Sequence, residues 1–205
     1  MKEKLIAQIV DQEWKMFQNV ANIGGRAACQ DNYDTFKVMR RSQTMAWSEA
    51  ALSSYLDDLR AAQDSGRNLL TERYARMMEH TEPQEYECIK EYLPVLDEQA
   101  RLLIDKIIEA NMEWTEEIRT KFPYIRKRGR PASADSDSPY NTSVETYLRG
   151  ELATYSTQTL ELYYQNVLEQ KSRQINGTQI VLDTMVQSYG FNSLDEANKA
   201  IRAQN

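Results

Sequence analysis

Apolar residues recur along most of this chain at three- and four-residue steps, the spacing that keeps them on one face of an α-helix. Leu5, Ile6, Ile9, Val10, Phe17 and Val20 follow it first, predicting a helix from about Lys2 to Ala21 that stops at the turn residues Asn22 to Gly25. Asp31 and Asn32 can each accept a hydrogen bond from an orphan amide, so a second helix opens there and runs through Phe36, Met39, Trp47, Leu52 and Leu59 to Ser65-Gly66. At about 1.5 Å per residue it spans roughly 45 Å, a length that invites a kink. Leu69, Leu70, Tyr74, Met77 and Met78 predict a shorter third helix, closed by Thr81-Glu82-Pro83. Proline is tolerated in a first turn but not in a helix interior, so a fourth helical stretch opens at Pro83 and divides at Pro94 into 83–92 and 94–121. A fifth helix covers about Ser143 to Gln174 and ends at Asn176-Gly177. Two short amphipathic helices follow, the second opened by the capping box Ser193-x-x-Glu196.

Only 122–141 loses the pattern. It holds three Pro, one Gly and five Ser or Asp between Ser133 and Ser138, which makes it a loop, and loops of this length in compact domains often serve as lids. The fold expected is all-α: a single bundle-like domain of about five main helices in 1–175, followed by two short C-terminal helices in 176–205 as an appendage through which copies can associate.

Composition narrows the function classes. With 205 residues, 41% hydrophobic, 7 Gly and 5 Pro, the chain has the makings of a folded helical protein with its own core. A formal charge of −6 argues against general nucleic-acid binding, which needs a basic surface. No run approaches 18 apolar residues, so no membrane span is expected. Two cysteines are too few for a disulfide framework, and the N-terminus lacks the apolar core of a signal peptide; a reducing, cytoplasmic setting follows.

Two carboxylates interrupt this order. Glu13 stands in the stripe Ile6, Ile9, Met16, Val20, and Glu151 in the stripe Tyr147, Leu148, Leu152, Tyr155. Burying an ionised carboxylate costs several kcal/mol unless it is paired and hydrogen-bonded, and Arg26, Arg40 and Arg149 are near in sequence to do so. Tyr147, Glu151 and Tyr155, spaced i, i+4, i+8, share a face of the fifth helix, and Gly150 among them permits a close approach. A buried carboxyl beside tyrosine hydroxyls suits acid–base work, with Glu13 or Glu151 as acid or base and Tyr155 assisting.

Other motifs carry less. Asn22-Ile23-Gly24-Gly25-Arg26 has the makings of an anion loop, or is a plain inter-helix turn. Cys29, without a nearby histidine, reads as a buried structural cysteine, and His80 as a helix-end histidine. One histidine and no Glu-x-x-His exclude a ferritin-like dimetal centre; no cofactor is predicted, and an all-carboxylate Mg²⁺ or Mn²⁺ site at Glu13 and Glu151 stays open. Arg126-Lys127-Arg128-Gly129-Arg130-Pro131 looks like a minor-groove hook, yet Asp135 and Asp137 follow at once, and a solvated loop or a basic lid fits as well.

Several long strings of unlike polar residues are more specific. Glu13-Trp14 with Phe17, Asn22 to Ala27, Cys29-Gln30, Phe36, Met39-Arg40 and Ser42-Gln43, together with Thr142-Ser143, Glu145 to Leu152 and Tyr155-Ser156, resemble bacterial proteins grouped as domain of unknown function 4125. The resemblance covers most of the chain up to about residue 170. It implies that Gly25-Arg26, Arg40, Gln43, Arg149 and Glu151 lie in the parts by which the family is recognised.

Two functions are therefore expected of different kinds. One is an enzyme acting on a small anionic or amino-acid-like metabolite, with Glu13, Glu151 and Tyr155 as catalytic groups and Gly25, Arg26, Gln30, Arg40, Gln43, Tyr147 and Arg149 binding substrate. The other is a non-catalytic ligand-binding or assembly protein in which the Glu/Arg network is structural.

Overall fold

The computed structural model describes residues 1–21, 25–126 and 128–204. Asn22, Ile23 and Gly24 of the expected anion loop and Lys127 of the basic run lie outside the described residues. Among those described there are eleven α-helices and no strand, so the chain is all-α. In order they are α1 (Lys2–Gln18), α2 (Tyr33–Met45), α3 (Glu49–Asp64), α4 (Leu69–Thr81), α5 (Pro83–Ile89), α6 (Glu98–Lys121), α7 (Pro123–Arg126), α8 (Val144–Leu152), α9 (Thr157–Ser172), α10 (Gly177–Ser188) and α11 (Leu194–Ala203).

The count exceeds the sequence reading because two long predicted helices are each broken in the middle and because the expected loop 122–141 contains the short helix α7. The second ends at Met45 and restarts after Ser48, whose hydroxyl accepts from the Ala51 amide at 3.2 Å. The fifth ends at Leu152 and restarts after Ser156, whose hydroxyl accepts from the Thr159 amide at 3.2 Å. Neither break carries Gly or Pro, and the apolar spacing runs through both, which is why periodicity alone joined them. The first break is held from outside: the side chains of Asn166 and Gln170 on α9 donate to the Ala46 carbonyl at 3.1 and 2.7 Å. Replacing Ser48 or Ser156 by Ala should cost about 1 kcal/mol each in urea denaturation, the usual loss for a serine cap.

Helix α6 begins later than predicted, at Glu98, because Asp97 caps it by accepting from the Ala100 amide at 2.7 Å. The preceding Leu93–Leu96 stretch is irregular and lies against α4 and α6 through hydrogen bonds described below.

Helices α1, α3, α4, α6, α8 and α9 surround the main core, in which Ile9, Leu52, Leu59, Ile107, Leu152 and Leu160 are fully buried. The tail is seated on this body. Helix α10 packs against α2 and α6, and its Ile180 and Val181 reach the main core. Helix α11 packs on α7, with Leu194 and Ala197 buried in a smaller cluster around Ile118 and Phe122. The predicted lid is tied to α8: the Val144 and Glu145 amides donate to the Pro131 and Ala132 carbonyls at 2.9 and 3.0 Å. Among the described residues no helix is long and apolar enough to cross a membrane.

Candidate functional site

The stripe logic that puts Leu or Ile at a helix's inward face puts charges at four such positions. Glu13 of α1, Arg40 of α2, Arg73 of α4 and Glu151 of α8 are 0, 3, 1 and 5% exposed, and they meet. Arg40 grips Glu13 with both prongs of its fork, Nε to Oε2 and Nη2 to Oε1, each at 2.6 Å. The same Nη2 lies 2.7 Å from Oε1 of Glu151. Arg73 Nη2 is 3.2 Å from Oε1 of Glu13 and 3.2 Å from Oε1 of Glu151. Tyr55 of α3 donates to Glu13 at 2.7 Å, Tyr155 donates to Glu151 at 2.8 Å, and Gln43 accepts from Arg40. The charges thus sum to zero, and most of their donors and acceptors are engaged, though Arg73 Nε is buried without a partner. Trp47 and Tyr163 stack beside Tyr55 and Tyr155 and close the cluster off, with ring centres 4.7 Å apart in the first pair and 4.6 Å in the second.

Burial and charge act together on Glu151, the two tyrosines and the two arginines. Burial opposes ionisation of Glu151, but Arg40 and Arg73, with hydrogen bonds from Arg40 and Tyr155, outweigh it and hold the carboxyl down to about 2. Burial and the neighbouring Glu13 push Tyr55 well above the usual phenol range; burial and Glu151 do the same for Tyr155. Both arginines are held cationic against the effect of burial, Arg40 by Glu13 and Glu151 and Arg73 chiefly by Glu151. A general acid or base works best when its pKa lies near the working pH. Glu151 and Tyr155 are displaced from neutrality in opposite directions, the reverse of the raised carboxyl that burial alone led us to expect. Both Glu13 oxygens and Oε1 of Glu151 are engaged, and among the described residues no group of three or more His, Cys, Asp or Glu is placed to hold a metal ion.

Of the remaining predicted residues, the structure brings Tyr147 to the edge of this cluster, against Arg73, and leaves Gly25, Arg26, Gln30 and Arg149 outside it. Gly25 is exposed with φ +84°, and Arg26 pairs with Asp31 at 2.8 Å on the surface. Gln30 is buried but serves α1, donating to the Phe17 and Val20 carbonyls at 2.8 and 3.0 Å. Tyr147 lies beneath two guanidinium groups, those of Arg73 and Arg130, at 5.9 and 5.4 Å. Arg149 points away from Glu151 and pairs with Asp105 at 2.7 Å, since residues two apart on a helix do not share a face. Tyr155 reaches Glu151 although it sits in the α8–α9 break rather than on a continuous helix face. Cys29 is exposed, not buried. Arg73 and Tyr55 escaped the sequence reading. Arg73 carried the same signal as Glu13, a charge within the apolar stripe Leu69, Leu70, Met77.

Helix α8 has a second working side. Next to Glu151, Gly150 lets the helix approach α4 so closely that a Cβ there would meet the Arg73 carbonyl oxygen and Met77 Cγ at 3.0 Å. Gly150 and Thr146 also line a cleft of about 220 Å³ between α4, α6 and α8, together with Arg76, Arg101 and Arg149. Arg76 donates to the Pro94 carbonyl at 2.6 Å, and Arg101 donates to the Leu96 carbonyl through Nε and Nη2 at 3.1 and 2.6 Å. Among the described residues neither has a carboxylate within 4.0 Å. Burial lowers the Arg76 pKa, and its Nε is shut from solvent with no acceptor.

No curated protein and no solved structure matches the chain. A family model does, over residues 3–199, which take in the buried charge cluster, the cleft and most of the helical tail. On that match the chain belongs to the family described as protein of unknown function (DUF4125).

Proposed function

We propose that this chain is a non-catalytic binding protein of the cytoplasm. The Glu13–Arg40–Arg73–Glu151 cluster holds the helices together, and a small anionic metabolite binds in the cleft between α4, α6 and α8. One observation carries the reading: Arg76, a partly buried cation that lines the cleft, has no carboxylate within ion-pair distance among the described residues, Glu72 and Glu79 acting on it only from further away. An anion seated in the cleft adds a counter-charge at contact. Arg101 lines the same space; Arg149 does too but is paired with Asp105, so a carboxylate or phosphate meets two guanidinium groups, Arg76 and Arg101, with Glu79 at the edge. The enzyme reading loses support because Glu151 and Tyr155, two of its acid–base groups, are locked away from neutral pKa values. The exposed, unpaired Cys29 and Cys88 fit a reducing compartment.

Thermal unfolding in the presence of inorganic phosphate or succinate, against chloride at equal ionic strength, tests this. A ligand at about a hundred times its Kd stabilises the folded state by about 2.7 kcal/mol. Arg76→Gln should abolish that gain, while Arg26→Gln, at the surface loop, should keep it. An equal response in both variants would remove the cleft from consideration.

A further inference from the structure

The cleft does not end at Arg76. A second hollow of about 400 Å³ adjoins it, sharing Arg76, Glu79, Leu96 and Arg101 and adding Tyr86, Lys90, Leu93, Pro94 and Val95. The first hollow is smaller than the roughly 300–1,000 Å³ of ordinary ligand sites, and the second lies within that range. One side of the second is apolar: Leu93, Pro94 and Val95 line it, and Val95 is 92% exposed and belongs to no core cluster. The segment that bears these side chains is also the one that positions the cations, since the Pro94 and Leu96 carbonyls accept from Arg76 and Arg101. Fixed positive charge and a free apolar furrow therefore lie side by side on one short stretch of backbone.

We infer that the ligand is an amphipathic anion: a carboxylate head against Arg76 and Arg101, and a hydrocarbon tail along Leu93 and Val95. This rests on the anion-binding reading above and adds the tail. The head gives Arg76 and Arg101 an anion at contact, which Glu72 and Glu79 do not, and the tail removes from water both itself and the apolar rim. A fully charged metabolite would leave that rim bare, and a neutral apolar one would leave both guanidinium groups without a contact partner.

Titration calorimetry of the full chain with acetate, butyrate, hexanoate and octanoate separates the two parts. Affinity should rise by about threefold per added methylene until the furrow is filled, as expected for partial burial of hydrocarbon. Octanol, with the tail but no charge, should bind at least about tenfold more weakly than octanoate, a charged hydrogen bond being worth that much. Val95→Ser, at a position too exposed to affect folding, should flatten the gain from acetate to octanoate. Arg76→Gln should weaken every acid. A flat series that is still sensitive to Arg76→Gln overturns the tail and leaves the anion site standing. A rising series indifferent to Arg76→Gln overturns the head, and with it the anion site. Binding of none of the acids, with no response to phosphate, overturns both.

Discussion

Arg40→Ala should destabilise this protein by about 3–5 kcal/mol, because it leaves Glu13 and Glu151 buried with their principal partner gone. In urea denaturation that is a large part of the whole stability of an ordinary domain, and in thermal unfolding it lowers the midpoint by on the order of 10 °C. The cost comes from stranding charge rather than from losing favourable pairs. Replacing all four charges with apolar residues of similar size, Glu13→Leu, Arg40→Met, Arg73→Met and Glu151→Leu, together with Tyr55→Phe and Tyr155→Phe, whose hydroxyls would otherwise lose their acceptors, should therefore bring stability back near the native value or above it. The same combined variant should keep the phosphate response of the cleft. An Arg40→Ala protein within about 1 kcal/mol of the original would mean that water reaches the cluster and that its burial does not govern its energetics.

Acid should undo the same structure from the other side. The Glu151 carboxyl is held down to about 2 in the folded chain against an ordinary value of 4.5. A group whose pKa is lowered by folding adds stability above its unfolded pKa and loses it as pH falls toward the folded one, so the loss runs from about pH 4.5 to about pH 2. At about 1.4 kcal/mol per tenfold change in proton affinity, it amounts to about 3 kcal/mol. Tyr55 and Tyr155 are raised instead, so their contribution is complete below pH 10 and falls away above it. Urea denaturation across this range should show a plateau between the two limits. Glu151→Gln should flatten the acid limb; a limb of unchanged steepness would assign acid sensitivity to other carboxylates.

Much of this was legible in the sequence. The all-α class follows from periodicity; Glu13 and Glu151 were found because charge inside an apolar stripe is costly enough to be informative, and Arg40 because it lies near Glu13 in sequence. Arg73 obeys the stripe rule too and was missed. The helix breaks were hidden for a different reason: Ser48 and Ser156 are good caps, but neither is preceded by a breaker, and Trp47 and Tyr155 continue the apolar spacing across the gap. Proximity in sequence misled at Arg149, two residues from Glu151 and therefore on another face. The cleft was invisible because it depends on Gly150 meeting the α4 backbone and on Arg76 and Arg101 holding the Leu93–Leu96 segment, relations between residues far apart along the chain.

The order in which the four charges leave the ribosome has its own consequence. Glu13, Arg40 and Arg73 emerge early and carry one negative charge against two positive ones; Glu151 comes only with α8. Until then, closing the helices that precede it would bury an unbalanced cation at a cost of several kcal/mol. A chain cut before α8 should therefore be less stable and more open to proteases than the full chain.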